Sequence, residues 1–372
     1  MLALAATLLL GTLLALHLAT CLAVAIRWRR ARRATARARD IPPVTIVRAV
    51  SGLEHRLEAC LASTFALSAT DVEILFCAAD PADPAVPLVE ALIAAHPGAR
   101  ARLLVGGERR TRNPKLDNIE KGWRAAANDV VILADGNILL PPDYVERLFA
   151  GFADGTGLVS ACAIGTDPRS AAGDLECAIL NTHQARFLHA ADMLGLGFAQ
   201  GKTLMLRRSD IDRAGGFPVL AAEIAEDSAA TKAISRLGLR VRILPVETPH
   251  LVGARPLAAV WSRQVRWARL RRAAFPAPYA LEIFSGVLVP LLLAAALLPP
   301  EWVAALAILW VAAEIAFARA AGWPVTWRTP LAILARDLLV LPAVWIAGLV
   351  GSRYVWRGSA VDVSPRAPIR FE

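Results

Sequence analysis

Three kinds of hydrophobic pattern follow one another along the chain. Residues 1–26 are apolar and uncharged throughout, and about 20 such residues are enough to cross a bilayer. From about residue 42 to 275 the pattern breaks into short β-type runs separated by polar stretches with helical spacing. Residues 44–50, 72–77, 101–105 and 130–134 read as strands, and segments such as 53–64 and 86–95 as helices. Three more apolar stretches follow, at about residues 280–298, 302–320 and 331–350. The strand–helix alternation predicts an α/β domain with a mainly parallel sheet covered on both faces. Sheets of that kind bind ligands at the carboxyl ends of their strands.

Charge decides how the first apolar run is read. Arg27, Arg29, Arg30, Arg32, Arg33, Arg37 and Arg39 follow it with no acid among them. A signal peptide carries its charge before the apolar run and a small-residue cleavage site after it. Here the order is reversed, which predicts an uncleaved anchor with the next domain in the cytoplasm of an inner membrane. Thr20 before Cys21 argues against a lipid-attachment site. A basic run beside a span reads as a topology signal that also meets anionic lipid, not as a nucleic-acid site.

The tail carries Arg353, Arg357, Arg366 and Arg370 and is expected on the same side. Three C-terminal crossings would put it on the other side. One C-terminal stretch should therefore be re-entrant or interfacial. The third is the candidate, because Arg336 and Asp337 shorten its uncharged part. The expected organisation is an anchor (1–26), a basic linker (27–41), a catalytic domain (42–258), an interfacial helix (259–276), two to three C-terminal membrane helices (277–352) and a cytoplasmic tail (353–372).

Composition narrows the class. The chain is 56% hydrophobic and 20% charged, which excludes a disordered or collagen-like protein and is too apolar for an ordinary soluble enzyme. The net charge of +9 comes almost entirely from arginine. Cys21, Cys60, Cys77, Cys162 and Cys177 fall at no metal-like spacing, so reduced cytoplasmic thiols are expected.

The strand ends are acidic with some regularity. Asp80 and Asp83 follow the second strand, Asp135-Gly136-Asn137 the fourth, and Glu226-Asp227 precedes a helix-like stretch. Any one of these reads equally well as an N-cap or turn former. Two oxygen ligands at Asp135 and Asn137 suit Mg2+ or Mn2+, with phosphates completing the shell. No Walker-type glycine loop is present. The glycines Gly195, Gly197 and Gly201 miss the dinucleotide spacing by one residue and follow no strand. Residues 260–275 make a basic amphipathic helix suited to the membrane interface, with Arg263-Gln264-Val265-Arg266-Trp267 in it. An arginine there can also grip a diphosphate with two hydrogen bonds.

The order of these pieces carries a resemblance. An acid after the second strand, then Asn113-Pro114-Lys115, Asp135, Glu226-Asp227 and Arg-x-x-Arg-Trp before membrane helices resembles the ceramide glucosyltransferase family over nearly the whole chain, to Trp356-Arg357-Gly358. The resemblance implies a glycosyltransferase-A fold and an inverting, metal-dependent transfer from a UDP-sugar to a membrane lipid. It implies that Asp80 meets the uridine, that Asn113, Lys115 and Asn118 serve the nucleotide, and that Asp135 is the metal-associated acid. Asn137 stands where the family often has another residue. Asp227 matches the catalytic base, and Arg263, Arg266 and Trp267 match the motif near the diphosphate and acceptor. A histidine before the Gly195 loop is also functional in relatives, but neither His183 nor His189 sits in register. His250 could complete a metal shell, as a histidine does in some of the broader fold, but reads first as a surface histidine.

The residues support the same chemistry without the family name: a base at Asp227, a cation at Asp135 and a guanidinium at Arg266 for the leaving diphosphate. No second nucleophile is identifiable, so a single displacement giving a β-glycoside is expected. Glucose and ceramide are the expected pair, with a hopanoid or polyprenyl-type lipid and UDP-GlcNAc or another UDP-hexose as alternatives. A non-catalytic membrane scaffold is the alternative from another class.

Overall fold

The computed structural model describes residues 1–34, 41–356 and 359–363. Arg37 and Arg39 of the basic cluster, and Arg357, Gly358, Arg366 and Arg370 of the tail, lie outside the described residues. Among the described residues the chain divides into two units, one within residues 1–33, 165–190 and 252–363, the other within 34–164 and 191–251.

The second unit is built on a mixed sheet of seven strands. They are β1 (Val44–Val50), β2 (Val72–Ala78), β3 (Arg100–Val105), β4 (Val130–Asp135), β5 (Thr156–Pro168), β6 (Thr203–Arg207) and β7 (Arg240–Gly253), in the order β3-β2-β1-β4-β6-β5-β7. The first four pair in parallel, and β6 runs antiparallel to both β4 and β5. Side chains alternate across the pleat. Ile46, Ile132 and Ala134 face a core with Tyr144, Val145 and Leu148. Val47, Val131 and Leu133 face the opposite core, against Leu116, Ile119 and Trp123 of the Pro114–Ala125 helix. Each such buried side chain contributes about 1.5–3 kcal/mol, which is why β1 and β4 are apolar on both faces.

The sheet register positions the chemistry. Ala49 of β1 stands opposite Asp135 of β4, and Thr203 of β6 opposite Ala134. The Asp135 amide donates to the carbonyl of Lys202 at 3.1 Å, so Lys202 enters the sheet beside Asp135. Gly136 passes so near β1 that a Cβ there would meet the Ala49 carbonyl at 2.7 Å.

In the first unit, among the described residues, three helices are long and apolar enough to cross a membrane: Leu2–Arg33, Pro300–Ala321 and Thr329–Val350. Pro276–Ser285 and Leu288–Leu297 form a pair bent by 54°. The break therefore falls in the first C-terminal stretch, not in the third as expected from Arg336 and Asp337. Those charges do not interrupt the third helix because both are buried and paired. Arg336 makes two bonds to Glu314 at 2.8 and 2.9 Å and one to Asp337 at 2.6 Å. Asp337 also accepts from the Trp310 indole at 3.1 Å and the Val287 amide at 3.0 Å. A π-helical turn at Arg336–Val340 marks the place.

Candidate active site

Arg48 of β1 is the first residue that builds the site, and it is fully buried. Its guanidinium donates to the carbonyls of Asp135 at 2.8 Å, Gly136 at 3.1 Å and Ile138 at 2.7 Å. It also donates to the Cys60 carbonyl at 2.7 Å and the Thr64 hydroxyl at 2.6 Å. Burial lowers its pKa to about 10, so it stays charged at neutral pH. These bonds fasten the turn that carries Asp135 and Asn137.

The Pro114–Ala125 helix supplies the next group. Asn113 caps it, its side-chain oxygen accepting from the amides of Lys115 at 2.9 Å and Leu116 at 3.1 Å. Proline follows at the first helical position, where no amide is needed. The cap leaves the Asn113 side-chain nitrogen to donate to Glu226 at 2.7 Å. One residue into the helix, the Lys115 ammonium meets Asp135 at 2.6 Å, Glu226 at 2.6 Å and the Gly201 carbonyl at 2.5 Å. Burial alone would lower its pKa, but the charges of Asp135 and Glu226 outweigh that and hold it above the usual lysine range. Burial likewise opposes ionisation of Asp135, and Lys115 and Lys202 outweigh it, so the carboxyl stays well below the usual range.

Lys202 lies on the other side of Asp135, at 3.3 Å, and also donates to the Asn137 side-chain oxygen at 2.7 Å. The Asn137 amide nitrogen donates to Glu54 at 2.7 Å. Its carbonyl accepts from His250 Nδ1 at 3.0 Å. His250 is fully buried on β7, not on the surface as expected, because Ile138 and His250 form a β-bridge that carries the ring inward.

Asp227 sits in the first turn of the Glu226–Arg236 helix. One carboxylate oxygen accepts from the Gly201 amide at 2.8 Å and the other from the Ser228 amide at 2.7 Å. Burial, then the charge of Glu226, push its pKa up to about 6 against the pull of Lys115 and the two amides. The group is thus ionised at neutral pH and close enough to its pKa to accept a proton.

Asn113, Lys115, Asp135 and Asn137 are thus brought together with Asp227. Asn118 is buried, and its side-chain nitrogen donates to the Cys77 carbonyl at 2.7 Å. Asp80 is exposed beyond β2, its carboxylate accepting from the Ala82 amide at 2.8 Å. Sequence reasoning missed the roles of Glu226, Lys202 and Arg48. The acidic Glu226-Asp227 pair was the one visible signal, since two carboxylates buried together repel unless a cation lies close.

Arg263, Arg266 and Trp267 lie in the other unit, on the Leu257–Ala274 helix. Arg263 is ion-paired to the fully buried Glu176, which Arg255 also meets at 3.1 Å. The Arg263 guanidinium lies 6.0 Å from the centre of the Trp267 indole, and Trp267 packs on Cys177, Leu180 and Val252. His183 and His189 are both buried in this unit. His183 bonds the Ser285 hydroxyl at 2.8 Å, and His189 stands edge-on to Trp28 at 5.4 Å.

Among the described residues no group of three or more His, Cys, Asp or Glu side chains could hold a metal ion. Asp135 and Asn137 nevertheless converge on one positive charge, the Lys202 ammonium. Two hard oxygen donors meeting at a cation match the sparse protein shell of Mg2+ or Mn2+, which phosphates and water complete. The donor pair therefore fits such an ion.

Known proteins resemble this chain. It is 26% identical over 238 residues to ceramide glucosyltransferase 1 of Caenorhabditis elegans, covering 63% of this chain and 51% of that protein. It is 33% identical over 107 residues to ceramide glucosyltransferase of Candida albicans, covering 26% of this chain and 20% of that protein. The chain thus spans about half the length, or less, of these relatives. The solved mannosyltransferase PcManGT from Pyrobaculum calidifontis, in complex with GDP-Man and Mn2+, is 19% identical with a TM-score of 0.49, over 93% of this chain and 98% of its own. The seven strands form one mixed sheet whose first four strands are parallel. The family model for glycosyl transferase family 21 matches residues 12–369. The chain belongs to that family.

Proposed function

We propose that this protein is an inverting hexosyltransferase that moves glucose from UDP-glucose to the hydroxyl of ceramide, giving a β-glycosyl lipid. The observation that carries the reading is Asp227. It is a single carboxylate fixed by two backbone amides, ionised at neutral pH, with a pKa raised to about 6. That is the state a general base needs. The acceptor oxygen attacks the anomeric carbon as the bond to the UDP oxygen breaks. The hydroxyl proton passes to Asp227, and the electron pair leaves with UDP. One displacement inverts the centre.

The other residues bind and orient. Asp80 is assigned to the uridine, and Asn113, Lys115, Asn118 and Asp135 to the nucleotide side. Asp135 and Asn137 would hold a divalent ion, which when bound neutralises charge growing on the leaving diphosphate. Arg263, Arg266 and Trp267 keep the diphosphate and acceptor roles that the family resemblance gives them. The apolar helices suit an acceptor whose tails lie in a bilayer. With the bent pair not counted as a crossing, one N-terminal and two C-terminal spans leave residues 42–258 and the basic tail on one side. The basic residues after the first span assign that side to the cytoplasm of an inner membrane.

The test uses membranes from cells expressing the protein or its Asp227→Asn variant. Labelled UDP-glucose, Mg2+ and separate pools of ceramide and hopanoid lipid are supplied, and products are identified by mass spectrometry. Hexosylceramide made only by the wild type is the expected result. Label in another lipid would keep the chemistry and replace the acceptor. No labelled lipid with any UDP-hexose would return the protein to the scaffold reading.

A further inference from the structure

We propose that Lys202 is the counter-cation of the Asp135–Asn137 pair, that it is displaced when a divalent ion enters, and that its ammonium then pairs with the donor's diphosphate. The inference rests on the reading of this site as a nucleotide-sugar site.

The Lys202 ammonium stands at the point that Asp135 and Asn137 share, 3.3 Å from one oxygen and 2.7 Å from the other. Lys202 thus holds two hard oxygen donors together and screens the Asp135 charge. An ammonium and a divalent ion cannot occupy that point together, because like charges at contact distance repel strongly in a partly buried site. Binding of the ion is therefore an exchange of one cation for another.

Lys115 touches the same carboxylate and is not the group that leaves. Its three N–H bonds match three acceptors, in Asp135, Glu226 and the Gly201 carbonyl, at 2.6, 2.6 and 2.5 Å. Lys202 has a fixed base. Its carbonyl accepts from the Asp135 amide at 3.1 Å, which pins the backbone to the sheet, while the four-carbon stem lets the ammonium swing. The ammonium thus stays within one side-chain length of Asp135, where a diphosphate sharing the ion must lie. Asn137 supports the exchange: a neutral amide holds Lys202 less firmly than a second carboxylate would.

The experiment measures Mn2+ binding to the full chain in detergent by electron paramagnetic resonance, without donor, and UDP binding by calorimetry with Mn2+ present. The proteins are the wild type, Lys202→Met and Lys202→Arg, each checked for an unchanged thermal midpoint. Lys202→Met should bind Mn2+ about tenfold more tightly than wild type and UDP about tenfold more weakly, the scale of one partly buried charge. Lys202→Arg should keep UDP affinity near that of wild type. Unchanged or weaker Mn2+ binding in Lys202→Met would overturn the exchange. Unchanged UDP binding would overturn the diphosphate contact. If wild type binds Mn2+ but no UDP, the nucleotide-sugar reading fails and the Mn2+ comparison still decides the exchange.

Discussion

Gly201 and Asp227 are joined by a backbone hydrogen bond of 2.8 Å, with the glycine amide donating to the carboxylate. The Gly201 carbonyl accepts from Lys115 at 2.5 Å. One peptide segment therefore orients the proposed base and anchors the lysine that neutralises Asp135 and Glu226. A Cβ at Gly201 would lie 3.1 Å from Glu226 Oε1 and 3.2 Å from Asp227 Oδ2. That is tighter than ordinary contact, so the carboxylates would have to move. Gly201→Ala is expected to lower turnover about tenfold, since small misplacements of catalytic groups are costly, with little change in UDP affinity. Steady-state kinetics beside UDP calorimetry check this.

Asp227→Asn removes the proton acceptor and keeps the shape. Turnover should fall by roughly a hundredfold or more, while UDP binding stays near wild type. Wild-type-like turnover in this variant would take the base role away from Asp227.

The pH profile should follow the same group. The reaction needs the ionised carboxylate, so kcat/KM should fall as pH drops through about 6 and level off above it. The stability sign is opposite. The folded pKa lies above the ordinary value of 3.8, so the folded state binds this proton more tightly than the unfolded chain. Ionised Asp227 therefore opposes folding above about pH 6, and the cost fades as pH falls. Asp227→Asn should melt at the same temperature as wild type or higher at pH 7.5, in scanning calorimetry.

Chelation tests the cation. EDTA should abolish transfer, and Mn2+ or Mg2+ should restore it. Full activity in EDTA would mean that lysine charge alone serves the diphosphate.

Arg336 tests the apolar helices. It and Glu314 are both fully buried and bonded twice, at 2.8 and 2.9 Å. Arg336→Met leaves Glu314 and Asp337 without their shared cation. Breaking a buried pair from one side costs about 3–5 kcal/mol, so a large drop in detergent melting temperature is expected. Arg353→Ala, by contrast, removes a solvent-exposed pair with Asp362 and should leave the melting temperature nearly unchanged.

What the sequence determined by itself is local. Near-continuous apolar runs at residues 44–50 and 130–134 made both faces of β1 and β4 apolar, and burial of those faces put Asp135 at a strand end. Asn113 and Pro114 start their helix by local means, because capping involves only the first turn. The apolar runs declared themselves by length. Tertiary structure decided the pairings. Lys202 meets Asp135 and Asn137 only because β6 runs antiparallel beside β4. Glu226 meets Lys115 and Asn113 across more than a hundred residues of chain. His250 is buried by a bridge to Ile138, and Arg336 is harmless within an apolar helix because Glu314 faces it. Periodicity reports which face of one element is buried. Ion pairing depends on which elements become neighbours, and that is decided by strand order and helix packing across the whole chain.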